Sequence, residues 1–175
     1  MFNEIDFSKI DTAGAPPTDD AGRQYYYMAK LATMVTLKEQ ELGRPITYCL
    51  QTFGCQMNEK QSEVVAGIMD EIGFKRQDTE NADVVIYNTC TVRENANLKV
   101  YGRLGKLHSL KKSNPDMKIA LFGCMMQEKQ VVDKIQKDYP FVNLVFGTHN
   151  IFKFAELFYD CLLYTSPSPR DGLLS

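Results

Sequence analysis

The chain has no tryptophan, only two histidines, and a net charge of −2 over 175 residues. A charge this close to neutral gives no bulk electrostatic pull toward nucleic acid. No run of about 18 apolar residues occurs, so no membrane-spanning helix is expected. Met1–Asp20 is polar and acidic, without the basic start and apolar centre of a secretory signal. The expectation is therefore a reducing, cytoplasmic setting, where cysteines act as metal ligands or catalytic thiols rather than disulfides. Several chemistries lack their motifs. There is no Gly-x-x-x-x-Gly-Lys-Ser/Thr phosphate loop, no Gly-x-Gly-x-x-Gly after the first strand, no His-Glu-x-x-His and no Gly-x-Ser-x-Gly. A Cys-x3-Cys-x2-Cys cluster motif is also absent.

What is present is an alternation of short apolar runs with helical patterns. Tyr27, Leu31, Met34 and Val35 recur at helical spacing between Gly22 and Leu42, with Gly43 and Pro45 as the stop. This helix follows an arm, Met1–Asp20, whose acidic, aperiodic composition predicts mobility. Together they form an N-terminal extension, residues 1–45. Strands are predicted at Ile46–Phe53, Phe74–Gln77, Val84–Asn88, Ile119–Phe122 and Val142–Phe146. The intervening helices are predicted at Asn58–Ile72, from a Thr91/Glu94 capping box to Lys112, at Gln127–Lys137 and at Asn150–Tyr159. Asn58 reads as an N-cap with Gln61 as its reciprocal partner, and Gly73 as the stop. Strands that are apolar throughout, interleaved with helices, predict an α/β fold. Its open, doubly wound, mostly parallel sheet would carry helices on both faces, over residues 46–160.

Three of the predicted strands run directly into a cysteine. Cys55, Cys90 and Cys124 follow Thr47–Phe53, Val84–Asn88 and Ile119–Phe122, at separations of 35 and 34 residues. That is too wide for a local knuckle, so any shared ligand must be assembled by the fold. Strands of one parallel sheet end on the same edge, where three thiols can converge. Each would also lie at or near a helix start, whose backbone N–H groups favour a thiolate. Gly54 and Gly123 would let backbone approach a bulky group closely. Three cysteines leave a 4Fe–4S cluster with one iron free of protein ligands, able to take a small molecule or exogenous sulfur. Zinc is the competing ion, with His149 as a possible fourth ligand in a zinc-stabilised α/β binding module. Buried core cysteines are the bland alternative, and that reading is adopted for Cys49, inside a strand.

The segments Thr47–Asn58 (TYCLQTFGCQMN), Tyr87–Ala96 (YNTCTVRENA), Phe122–Gln127 (FGCMMQ) and Phe146–Asn150 (FGTHN) carry a family resemblance. Over about Gly22–Asp160 the chain resembles the N-terminal domain of the methylthiotransferases. The wording is nearest the branch that modifies isopentenylated adenosine in tRNA. Sister branches act on threonylcarbamoyladenosine in tRNA or on a ribosomal protein. The resemblance implies an auxiliary 4Fe–4S cluster held by Cys55, Cys90 and Cys124, with one open iron. It further implies a following radical S-adenosylmethionine domain with a second 4Fe–4S cluster, then a small RNA-binding domain. The implied reaction adds a methylthio group to C2 of the adenosine beside the anticodon, so the anticodon stem-loop of tRNA is the implied partner. A monomer is expected. Without the Cys-x3-Cys-x2-Cys domain, the chain alone would bind one cluster and carry no catalytic residue.

The tail has a different origin. Cys161–Asp171 (CLLYTSPSPRD) reads as translated adapter DNA of a transposase-based library, so residues 161–175 are expected to be a non-native scar. Arg93, Lys99, Arg103, Lys106, Lys111 and Lys112 form either a phosphate track or, more ordinarily, a solvated helix face. His108 on the same helix reads as polar surface. His149 either faces the open iron or simply follows a strand. Asn58 and Asn88 read as a helix cap and a turn residue, and Tyr25–Tyr27 as packing of the extension helix.

Overall fold

Apolar runs too short for helices pair side by side, and the longer amphipathic stretches between them cover the resulting sheet. The computed structural model describes residues 5–90 and 94–163. Its order is α1 (Asp20–Leu42), β1 (Thr47–Phe53), α2 (Gln56–Glu71), β2 (Lys75–Arg76), β3 (Val84–Thr89), α3 (Glu94–Ser113), β4 (Lys118–Gly123), α4 (Lys129–Asp138), β5 (Leu144–Phe146) and α5 (Phe154–Leu163). Three 3-10 turns, Phe7–Lys9, Cys124–Gln127 and Thr148–Lys153, complete it. The five strands are ordered β2-β1-β3-β4-β5, and every pairing is parallel. The sheet is thus wholly rather than mostly parallel, and its winding reverses between β1 and β3.

Side chains alternate across each strand, and both sides are buried. Tyr48, Leu50, Ile86 and Phe122 join a core with α1, α2 and α5. Val85, Tyr87, Ile119 and Leu121 join the opposite core with α3 and α4. The stripe of α1 that enters the core is Met28, Leu31 and Val35, with Tyr27 only partly buried at its flank against Tyr159. On α3 the expected Val100, Leu104 and Leu107 are all fully buried. The Thr91 cap, with Val92 and Arg93, lies outside the described residues, as do the side chains of Glu94 and Ala96 and the tail beyond Leu163.

The structure differs from expectation in three respects. The cap of α2 is Cys55, not Asn58, which sits three residues further in and bonds back to the cap. Gln61 therefore has no capping role, and its Oε1 is buried without a partner. The helix ends as predicted at Gly73, which takes φ 107°. There the Gly73 N–H donates to Asp70 O and the Phe74 N–H to Met69 O, a paired closure of the last turn. The second difference is the described part of the arm, which packs against the domain. Ile5 and Phe7 pack on the core, and the Tyr26 hydroxyl donates to the Gly14 carbonyl. Two apolar residues outweigh the acidic composition there. Third, α4 and α5 begin later than expected, because a 3-10 turn precedes each. The last turn of α5 includes Cys161 and Leu162, both packed against the core.

Candidate metal centre

Register places the three cysteines on one rim. Phe53 pairs with Thr89, and Thr89 with Gly123, so the ends of β1, β3 and β4 are level. Cys90 and Cys124 are the next residues on their strands, and Cys55 is one further along, after Gly54. Adjacent strands lie about 4.8 Å apart, so near-equal sequence spacing becomes near neighbourhood in space. The β1/β3 boundary is also where the winding reverses, the crevice where open α/β sheets take ligands.

The loops touch. A β-carbon on Gly54 would fall 2.8 Å from Cys90 Cβ and 2.5 Å from Asn58 Oδ1. One on Gly123, held at φ 118°, would fall 2.2 Å from the Thr89 carbonyl oxygen. Glycine is thus required at both places by contact, and at Gly123 by backbone conformation as well. Cys55 is exposed, Cys124 half-buried and Cys90 buried.

The electrostatics are not uniform. The backbone N–H groups of Asn58 and Met57 hold the Cys55 thiol below its ordinary value, helped by a hydrogen bond with Cys90. Cys124 is shifted the other way: burial raises it, and the neighbouring Cys90 and Cys55 raise it further. The expected lowering at helix starts therefore fails for Cys124. It opens only a 3-10 turn of four residues, and desolvation and like charge prevail. Cys90 acts on both of the other thiols, and Cys55 acts on Cys124.

Among the described residues, no three His, Cys, Asp or Glu side chains close round one point as ligands of a single ion. A 4Fe–4S cluster has a different requirement, because each thiolate binds a separate iron. The donor set fits that group: three thiols on one edge, two of them preceded by glycines that let their loops pack closely. His149, offered as a zinc ligand, is exposed in the turn after β5. Cys49 lies in the core facing α3, its thiol pushed up by burial.

Other expected features are engaged elsewhere. Arg103 and Lys106 pair with the buried Glu80, and Lys111 donates to Phe141 O and Asn143 Oδ1. Lys99 and Lys112 are exposed, and Arg93 lies outside the described residues. Asn88 is not a turn residue: it lies within β3 and is fully buried. Sequence reasoning passed over Asn58, Ser62 and Asn88 as site builders. The available signal was an asparagine close to each of two cysteines, Asn88 ending an otherwise apolar run.

The fold and rim define a class: a parallel α/β domain presenting three cysteines at its carboxyl edge beside the winding reversal. The chain belongs to the family described as uncharacterized protein family UPF0004, whose model matches residues 47–147. The match starts with β1 and ends just past β5, so it contains the whole sheet. Similar curated proteins carry the name tRNA-2-methylthio-N(6)-dimethylallyladenosine synthase. That of Lachnoclostridium phytofermentans is 63% identical over 132 residues, 75% of this chain and 29% of the relative. That of Acetivibrio thermocellus is 50% identical over 145 residues, 82% of this chain and 30% of the relative. That of Bacillus licheniformis is 42% identical over 166 residues, 92% of this chain and 33% of the relative. The chain thus spans about three tenths of the length of these relatives.

Proposed function

We propose that this chain is the auxiliary-cluster part of a longer tRNA methylthiotransferase, with Cys55, Cys90 and Cys124 as the ligands of a 4Fe–4S cluster. One observation carries the reading: three cysteines stand at the level ends of three adjacent parallel strands. Of the other described cysteines, Cys49 is buried in the core and Cys161 is half-buried against it. When bound, such a cluster supplies an iron without a protein ligand, suited to carrying sulfur or a methylthio group.

The chain's own residues do the holding. Cys55 offers a thiol held below its ordinary value, from the exposed side of the rim. Cys90 anchors the centre from a buried position, and Cys124 closes the third side. Gly54 and Gly123 let the three loops close against one another beside the site. The names of the relatives support tRNA as substrate, with methylthio addition to an isopentenylated adenosine as the reaction. In the whole protein, S-adenosylmethionine and a second 4Fe–4S cluster would come from a further domain. No helix among the described residues is long and apolar enough to cross a membrane. A cytoplasmic monomer is the corresponding proposal.

Anaerobic reconstitution with iron and sulfide should load about four irons per chain and give a broad visible absorbance. Cys55→Ala, Cys90→Ala and Cys124→Ala should each lose it, whereas Cys49→Ala should keep it. Full loading in all three rim variants would reject the ligand assignment.

A further inference from the structure

The Asn88 side chain meets the segments behind all three rim cysteines. It is fully buried in β3, two residues before Cys90. Its Oδ1 accepts from Asn58 Nδ2 at 3.0 Å. Its own Nδ2 donates to the Asn58 carbonyl at 2.7 Å and to Ser62 Oγ at 3.0 Å. Asn58 in turn accepts the Cys55 N–H at 3.2 Å, so the first loop hangs from Asn88 through one intermediary. A β-carbon on Gly123 would fall 2.6 Å from Asn88 Oδ1, so the residue before Cys124 rests directly on the same amide. Two further bonds brace the junction: Asn58 Nδ2 to Thr89 O at 3.2 Å and Thr89 Oγ1 to Phe122 O at 3.0 Å.

We infer that Asn88 is a positioning residue that sets the mutual spacing of the Cys55, Cys90 and Cys124 loops. The inference rests on the reading of those cysteines as cluster ligands. A neutral amide is required because this position needs a donor and an acceptor side by side in a dry site. Aspartate keeps the acceptor but turns its second oxygen toward the Asn58 carbonyl, and adds charge beside three thiolates. Alanine removes both functions and leaves the loops to the sheet register and the two bracing bonds. Fixing ligand loops in advance removes an ordering cost from binding. Groups behind the ligands commonly change metal affinity by about 10–100-fold.

The test uses the 175-residue chain, loaded anaerobically, and follows the decay of cluster absorbance under an iron chelator. Melting of the cluster-free protein is measured in parallel. Asn88→Ala and Asn88→Asp should shorten the cluster's half-life about tenfold or more. Asp83→Asn is the control, because Asp83 binds Arg44 and the Thr47 N–H at the opposite edge of the sheet. It should lower the melting temperature and leave the half-life unchanged. Where Asn88 variants do not fold, Asn58→Ala should show the same shortening through the first loop. Wild-type decay in the folded variants overturns the inference, and so does a half-life that merely tracks melting temperature across all variants, the control included. A wild type that takes up no cluster rejects the ligand reading itself, and this inference with it.

Discussion

Gly123 sits at φ 118°, with the place of a β-carbon only 2.2 Å from the Thr89 carbonyl oxygen. Gly43 also has a positive φ, 69°, but nothing lies within 4 Å of that place. The pair separates two costs of adding a methyl group. Gly43→Ala should carry only left-handed backbone strain, about 1–2 kcal/mol. Gly123→Ala adds a collision with backbone that cannot turn aside, so its cost should exceed about 3 kcal/mol. Urea unfolding of the two variants measures the difference, and equal losses would show that the rim has room to move. The thiols allow a second residue-level prediction. In the cluster-free chain, iodoacetamide should modify Cys55 first, since it is exposed and its thiol lies low. Cys124 should follow, and the buried Cys49 should come last. Peptide mapping of partially alkylated protein reads the order, and Cys124 reacting ahead of Cys55 would contradict the electrostatics described.

Between elements, strand and helix order was legible because apolar runs and helical stripes differ in period, and the rim cysteines were legible because strand ends of a parallel sheet share an edge. The start of α2 was not. Asn58 as a cap and Asn58 bonding back to a cap at Cys55 leave the same local sequence, and the exposed Met57 gives no apolar phase to choose between them. The reach of Asn88 across three loops depends on register and glycine contacts that no single segment contains. The β2–β3 connection was unreadable for a similar reason. It has no helix, and instead Glu80 anchors it, accepting from Tyr87 and from Arg103 and Lys106 of α3. Burial raises the Glu80 carboxyl, but Lys106, Tyr87 and Arg103 together hold it below its ordinary value. A carboxyl lowered in the folded state contributes stability above its unfolded value, and loses it as pH falls through the folded one. Glu80→Gln should therefore cost about 1–3 kcal/mol at neutral pH. The gap to wild type should close as the pH drops below about 4. Denaturant melts at neutral and acid pH test this, and a gap that stays constant or widens in acid would remove the carboxylate from the account.

On the scale of the whole molecule, α1 and α5 both lie outside the matched residues 47–147, yet they cover one face of the sheet together. Arg23 of α1 pairs with Glu156 of α5, Tyr27 meets Tyr159, and Lys30 lies over the Tyr26 and Tyr159 rings. The ion pair is partly exposed, with side chains at 32% and 20%, so Arg23→Ala should cost no more than about 1 kcal/mol. The apolar contribution is larger. Met28, Leu31 and Val35 are essentially fully buried, and each such side chain contributes about 1.5–3 kcal/mol. Their sum rivals the whole stability of an ordinary domain, about 5–15 kcal/mol. Deleting residues 1–45 would also uncover Phe154 and Phe158, which are fully buried in the same core. The truncated chain should therefore bind a hydrophobic dye and lose its cooperative melt, while Arg23→Ala melts as one unit a few degrees lower. If the truncated chain melted sharply and bound no dye, the matched segment and α5 would close this face unaided, and α1 would be an appendage rather than part of the core.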